Sequence, residues 1–213
     1  MTGLKGRITV RQVFLTICII ACGMAISSAL GYTSYQLPLP SGVKAFFDSM
    51  EQKYSSQTLR MVNLSNIFEL IISVIILALL PAICEEALFR GGFQNYMYRS
   101  TGKMWLSVLT VSLIFSIVHF SGYGFLSRLM LGIVLGLIYQ YSGRLWLSIL
   151  AHFINNAAAV VVMYVQTQQG KPIEKILNDT QGNYLGYLWI PVIVFLFWRF
   201  RKLSLTNQTT NGI

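Results

Sequence analysis

The sequence predicts an all-α fold: a polytopic membrane bundle of about six transmembrane helices. Three observations predict it. The 213 residues are 54% hydrophobic and only 11% charged, and the mean hydropathy is +0.60, so there is too little charge to cover an ordinary water-facing surface. Apolar runs of about 14–21 residues recur along the chain, close to the roughly 20 residues that a helix needs to cross a bilayer. The tryptophans Trp105, Trp146, Trp189 and Trp198 fall near the ends of those runs, where indole rings favour the membrane–water boundary.

Taken in order, the first span is expected at Val13–Leu30. Lys5, Arg7 and Arg11 ahead of it, with Ile19-Ile20-Ala21-Cys22 inside it, resemble a secretory signal with a lipoprotein cleavage box. The apolar character continues past Cys22, so the reading is a retained helix. Pro38 and Pro40 break the pattern, and the polar stretch Lys44–Met61 is expected outside lipid, with a short interfacial helix at Phe46, Phe47, Met50 and Tyr54. The remaining spans are expected at Ile67–Leu80, Trp105–Phe120, Phe125–Tyr141, Leu145–Val165 and Leu185–Phe200, followed by a polar tail from Ser204. Gly132 and Gly136 form a GxxxG pair suited to close helix contact. The division that follows is an N-terminal helix and extramembrane loop over 1–62, a catalytic core over 63–165, and a loop, last helix and tail over 166–213.

Charge and cysteine content narrow the function. The formal charge of +9 is scattered rather than run together with aromatics, which argues against nucleic acid as a partner. With a cytoplasmic N-terminus, Lys5, Arg7, Arg11, Arg99, Lys103, Arg144, Arg199, Arg201 and Lys202 fall inside, against Lys44, Lys53, Arg60, Arg128, Lys171 and Lys175 outside. That bias fits a multi-pass protein of a bacterial inner membrane. Cys18, Cys22 and Cys84 lie in apolar stretches as small hydrophobes and do not form a disulfide framework. Glu69 and Arg128, at the beginnings of spans, read as interfacial or snorkelling side chains.

The informative feature is Cys84-Glu85-Glu86-Ala87-Leu88-Phe89-Arg90, which follows an apolar run and Pro81 without a turn signal. Charged groups at the bilayer centre cost about 2.5–3.5 kcal/mol each on insertion scales and need partners or a function. Glu86 and Arg90 are neighbours on one helical face, which leaves Glu85 about 100° away and free. Both histidines fall in apolar spans, as Phe115-x-x-x-His119 and His152-x-x-x-Asn156, and a spacing of four puts each pair on one face. Depth requires that the second helix run on from about Asn66 to Arg99, kinked at Pro81. Glu85 and Glu86 then lie about 20 Å from Arg99 and His119 about 21 Å beyond Trp105. A carboxylate beside two imidazoles can activate water, by general-base action or by holding a metal, and an asparagine can donate to an oxyanion. From the residues alone the reading is a membrane hydrolase or a proton-handling transporter.

The ordered set Glu85-Glu86-x-x-x-Arg90, Phe115-x-x-x-His119 and His152-x-x-x-Asn156, with Phe89 and Gly91 completing an EExxFRG wording, resembles the CPBP (Abi) family of type II CAAX prenyl proteases and bacteriocin-processing enzymes. The resemblance covers roughly Ile67–Val165. It implies an intramembrane endopeptidase in which Glu85 activates water with His119 nearby, His152 and Asn156 stabilise the oxyanion, and Glu86 and Arg90 complete the motif. It leaves open a metal-free glutamate mechanism or zinc held by Glu85, His119 and His152. The implied partners are membrane lipids and a membrane-embedded or lipidated peptide substrate, either CAAX-like or bacteriocin-like. The rival readings are a proton-coupled transporter, which predicts inverted repeats that the sequence lacks, and a noncatalytic bacteriocin-immunity protein.

Overall fold

A computed structural model describes residues 8–177, 179–180 and 182–210, with side chains described only as far as 206 at the C-terminal end. Lys5 and Arg7, counted above toward the charge bias, lie outside the described residues, as does much of the polar tail. Eight helices form the bundle, and no strand occurs among the described residues. Helices α1 (Val10–Gln36), α3 (Ile67–Thr101), α5 (Phe125–Ser142) and α6 (Leu145–Gln168) are long and apolar enough to cross a membrane, and α4 (Met104–Ile117) is a shorter apolar helix. Helices α2 (Ser41–Met61) and α7 (Ile173–Leu177) lie at one end of the bundle, and α8 (Ile190–Thr210) closes the chain after the 3₁₀ segment Tyr184–Trp189.

Local chemistry accounts for the boundaries. Thr9 and Gln12 form a reciprocal capping box that starts α1. Asn66 caps α3 by accepting from the amides of Phe68 and Glu69. The Glu69 carboxylate in turn accepts from Asn63 and from the Ser65 amide, so it secures this helix entry. At the far ends of α3 and α5, Gly102 (φ 66°) and Gly143 (φ 63°) adopt the left-handed conformation that terminates a helix.

Helix α3 is the long element that the depth argument requires, 35 residues without a break. Two π-helical stretches, Ile75–Leu79 and Ala87–Gln94, lie within it. Proline has no amide hydrogen, so Pro81 would leave a carbonyl unpaired in a regular α-helix. The wider turn just before it, where the Leu80 amide reaches back to Ile75, takes up the irregularity. Only 17% of this helix's most apolar window is buried, so most of that surface faces outward toward lipid.

The main core joins α1, α5, α6 and α8 through Ile19, Ile20, Ile26, Leu135, Ile138, Leu147 and Phe200. The GxxxG pair lies where α5 meets α3 and α4. A Cβ added at Gly132 would come within 3.0 Å of the Ser112 Cβ, and one at Gly136 within 2.9 Å of Gln94 Oε1. This close approach is what small residues permit between membrane helices.

Three elements differ from expectation. The last span, expected at Leu185–Phe200, begins as the 3₁₀ segment, its helix runs on past Ser204 to Thr210, and it is not among the helices long and apolar enough to cross a membrane. The polar stretch after Pro40 is a helix of 21 residues rather than a short interfacial piece. Helix α4 stops at Ile117, so His119 lies beyond its end in a turn that includes Phe120 at φ 48°. The three cysteines are free.

Candidate active site

The site begins with a stripe on α3. Glu86, Arg90 and Gln94 recur every four residues, and each is fully buried. With no water to solvate them, each must find a partner inside the bundle. Arg90 Nη1 donates to Glu86 Oε1 at 2.8 Å, and Nη2 donates to the Gly132 carbonyl at 3.0 Å. The guanidinium also lies over the Phe115 ring, 4.7 Å from its centroid. One turn further on, Gln94 Nε2 donates to the Gly136 carbonyl at 3.0 Å. Both GxxxG glycines therefore bring their carbonyls to buried donors on α3.

This lock orients an imidazole. His152 Nδ1 is 3.0 Å from Glu86 Oε1. A carboxylate already bonded to arginine can only accept, so Nδ1 carries the proton and Nε2 faces the other way. His119 is held similarly: its Nδ1 donates to the Phe115 carbonyl at 2.6 Å, and its ring packs on Phe115 at 4.6 Å between centroids. Thus the four-residue spacing from Phe115 still brings the two residues together, although the helix has ended.

The free Nε2 atoms of both rings converge on Glu85. His119 Nε2 is 3.6 Å and His152 Nε2 3.9 Å from Glu85 Oε2. That oxygen has no hydrogen-bond partner on the protein. The Glu85 and His119 side chains keep 29% and 26% of their surface, against none for Glu86 and Arg90. Adjacent glutamates therefore have opposite environments: Glu86 is locked in the interior, and Glu85 is open to a cavity of about 900 Å³ that His119, His152 and Asn156 also line. Asn156 lies on the α6 face of this cavity, where its side-chain oxygen accepts from Asn155 at 3.0 Å.

All six candidate residues thus occupy one neighbourhood: Glu85, His119, His152 and Asn156 on the cavity wall, with Glu86 and Arg90 behind them. The ligand-to-ligand edge of a tetrahedral zinc site is about 3.3–3.6 Å, given bonds of about 2.0–2.2 Å, and Glu85 Oε2 stands 3.6 Å from His119 Nε2 and 3.9 Å from His152 Nε2. Among the described residues no group of three His, Cys, Asp or Glu side chains could hold a metal ion.

Sequence reasoning missed two kinds of residue here. Gln94 is uncharged and belongs to no motif, but continuing the Glu86–Arg90 spacing by one turn would have found it. Arg128 and the polar groups of α2 line the same cavity. Arg128 gives the same sequence signal as a snorkelling side chain, so only the fold separates the two roles.

Residues 67–158 match the family described as type II CAAX prenyl endopeptidase Rce1-like, a segment that contains all six candidate residues. The uncharacterized protein YpbD of Bacillus subtilis (strain 168) is 38% identical over 91 residues, which cover 39% of this chain and 42% of YpbD. No solved structure matches. The matched family is the one that the three motifs resemble: residues 67–158 are similar to the type II CAAX prenyl endopeptidase Rce1-like proteins.

Proposed function

We propose that the protein is an intramembrane endopeptidase in which Glu85 activates water, acting on membrane-embedded or lipidated peptides. The observation that carries this reading is the division of labour between adjacent glutamates. Glu86 is sealed in the interior with Arg90 and His152 both on its Oε1 and its Oε2 unpartnered, whereas Glu85 faces the cavity with Oε2 between two imidazole nitrogens.

Chemically, Glu85 takes a proton from water while the water oxygen bonds to the peptide carbonyl carbon. The carbonyl π pair moves to its oxygen, which gains hydrogen bonds from the Asn156 amide and from His152 when protonated at Nε2. The C–N bond then breaks, and the proton held by Glu85 passes to the leaving nitrogen. The products are a carboxylic acid and an amine. His119, fixed through its Nδ1, orients the water against Glu85. Glu86 and Arg90 act as positioning residues by fixing the His152 ring and the α3 backbone. No metal takes part in this scheme. The membrane reading extends to a multi-pass bacterial inner-membrane protein with a cytoplasmic N-terminus, which puts α2 on the outer side.

The test is cleavage of a quenched library of prenylated and unmodified membrane peptides by the purified full chain. Wild type is compared with Glu85→Ala and His119→Ala, and each is assayed before and after exhaustive chelation. The expected result is cleavage by wild type that survives chelation and falls by about 10²–10⁴-fold in both variants, with melting temperatures retained. Chelation that abolishes cleavage, reversed by zinc, would replace the metal-free scheme. Cleavage undiminished in Glu85→Ala would end the assignment.

A further inference from the structure

His119 is the one member of the hydrolytic set that no helix holds. It follows the end of α4 and opens a turn, residues 119–124, that leads into α5. Phe120 within this turn has φ 48°, a left-handed conformation that a bulky residue keeps only where its surroundings impose it. The imidazole itself is bonded back to the Phe115 carbonyl, so the further ties must come from the residues after it.

Those ties run to α2. Ser121 and Tyr123 are both buried, and each hydroxyl has a single hydrogen to donate. Ser121 Oγ donates to Glu51 Oε2 at 2.9 Å, and the Tyr123 hydroxyl donates to Asp48 Oδ1 at 2.7 Å. The Ser121 hydroxyl also accepts from the Gly124 amide at 3.0 Å, so the bond to Glu51 fixes the rotor that closes the turn. Between these two points Gly122 lies so close to the Phe47 ring of α2 that a Cβ there has no room. Phe47 meets Tyr123 edge-on at 5.4 Å between centroids, and Tyr35 of α1 stacks on Tyr123 at 4.1 Å. Asp48 and Glu51 keep their charge, and Arg128, under the Tyr54 ring of α2 at 5.2 Å, stands near them as the opposite charge. Among the described residues neither carboxylate has a hydrogen bond to a hydrolytic side chain; both bind the turn that carries one.

We propose that Glu51 and Asp48 are positioning residues for His119: by holding Ser121 and Tyr123 they set the turn that carries the imidazole, so α2 completes the hydrolytic set when it lies over the cavity. The inference rests on the peptidase reading. When α2 lifts, water takes over both hydroxyls and the turn loses its fixed acceptors. His119 Nε2 then no longer stays 3.6 Å from Glu85 Oε2, and water activation is confined to the covered cavity.

The deciding experiment follows the imidazole itself, so it does not depend on turnover. The chain has two histidines, and the full chain with isotope-labelled histidine rings, in phosphatidylcholine nanodiscs, therefore gives two sets of ring resonances. Those of His119 are identified by their loss in His119→Gln. Glu51→Ala and Asp48→Ala remove the acceptors, whereas Glu51→Gln and Asp48→Asn keep an acceptor oxygen without the charge. The expected result is that the His119 resonances shift or broaden in both alanine variants while those of His152 stay, and that the amide variants restore them. On a cleaved peptide, kcat of the alanine variants falls by up to about 10²-fold while KM changes little. Melting temperatures check folding, and Ser121→Ala, which breaks the Glu51 bond from the other side, is expected to reproduce Glu51→Ala and replaces it should that variant not fold. His119 resonances unchanged in every variant would overturn the proposal. So would equal changes at both histidines, which mean general loosening, or a raised KM with kcat unchanged, which makes α2 a cover only. His119 resonances that follow Glu51 in a protein that cleaves nothing would preserve the coupling and sink the peptidase reading instead.

Discussion

Helices α3 and α2 both carry acidic side chains toward the same cavity, yet they hold them in opposite ways. On α3, Glu86 and Arg90 are fully buried and paired at 2.8 Å, with His152, Gly132 and the Phe115 ring as further partners. On α2, only Ser55 is buried. The connection of that helix to the turn carrying His119 consists of hydrogen bonds from Ser121 and Tyr123, with Phe47 edge-on to Tyr123. The environment explains the contrast. A polar group inside an apolar bundle has no water to fall back on, so its protein partners are obligatory. At the bundle end, water replaces a lost hydrogen bond at small net cost. The α3 wall is therefore expected to be rigid and α2 to be the element that moves when a ligand enters the cavity.

The largest effect should come from breaking the rigid wall. Arg90→Ala leaves Glu86 buried and uncompensated, which costs about 3–5 kcal/mol. A large fall in melting temperature or loss of folded protein is expected, and an unchanged melt would show that the lock is not needed. A smaller effect is expected at the contact between α4 and α5. Gly132→Ala pushes a methyl against Ser112 at 3.0 Å and should cost about 1–3 kcal/mol by overpacking. The same melt measures it. The smallest effect on stability belongs to the clasp. Tyr123→Phe removes one hydrogen bond at the bundle end and should cost about 0.5–1.5 kcal/mol, while hydrogen exchange in α2 accelerates and exchange around Glu86 does not. Equal acceleration in both helices would erase the distinction between wall and lid.

Much of this contrast could be read from the sequence, because it rests on spacing. Glu86 and Arg90 four residues apart gave their pairing, and the requirement that Glu85 reach the depth of His119 gave a helix running through Pro81. The π-helical stretches could not be read, since they depend on how α3 packs and leave no residue signature beyond Pro81. The end of α4 at Ile117 was hidden because Val118 and Phe120 continue the apolar run that defined the span. The full length of α2 was hidden for the reverse reason: the segment is too polar to register as a span, and its helix shows only weak amphipathic spacing. That Arg128 lines the cavity was hidden, because a cation near a span end gives the same signal as a snorkelling side chain and nothing local reveals the cavity across from it.

The central claim is that the carboxylate of Glu85, and not its bulk, does the chemistry. Glu85→Gln keeps the shape of the side chain and removes only its capacity as a base, so cleavage of a peptide substrate and thermal melting measured on the same preparation test it most directly. The account predicts cleavage reduced by about 10²–10⁴-fold with the melting temperature unchanged or slightly raised. Cleavage at the wild-type rate by folded Glu85→Gln protein would contradict it.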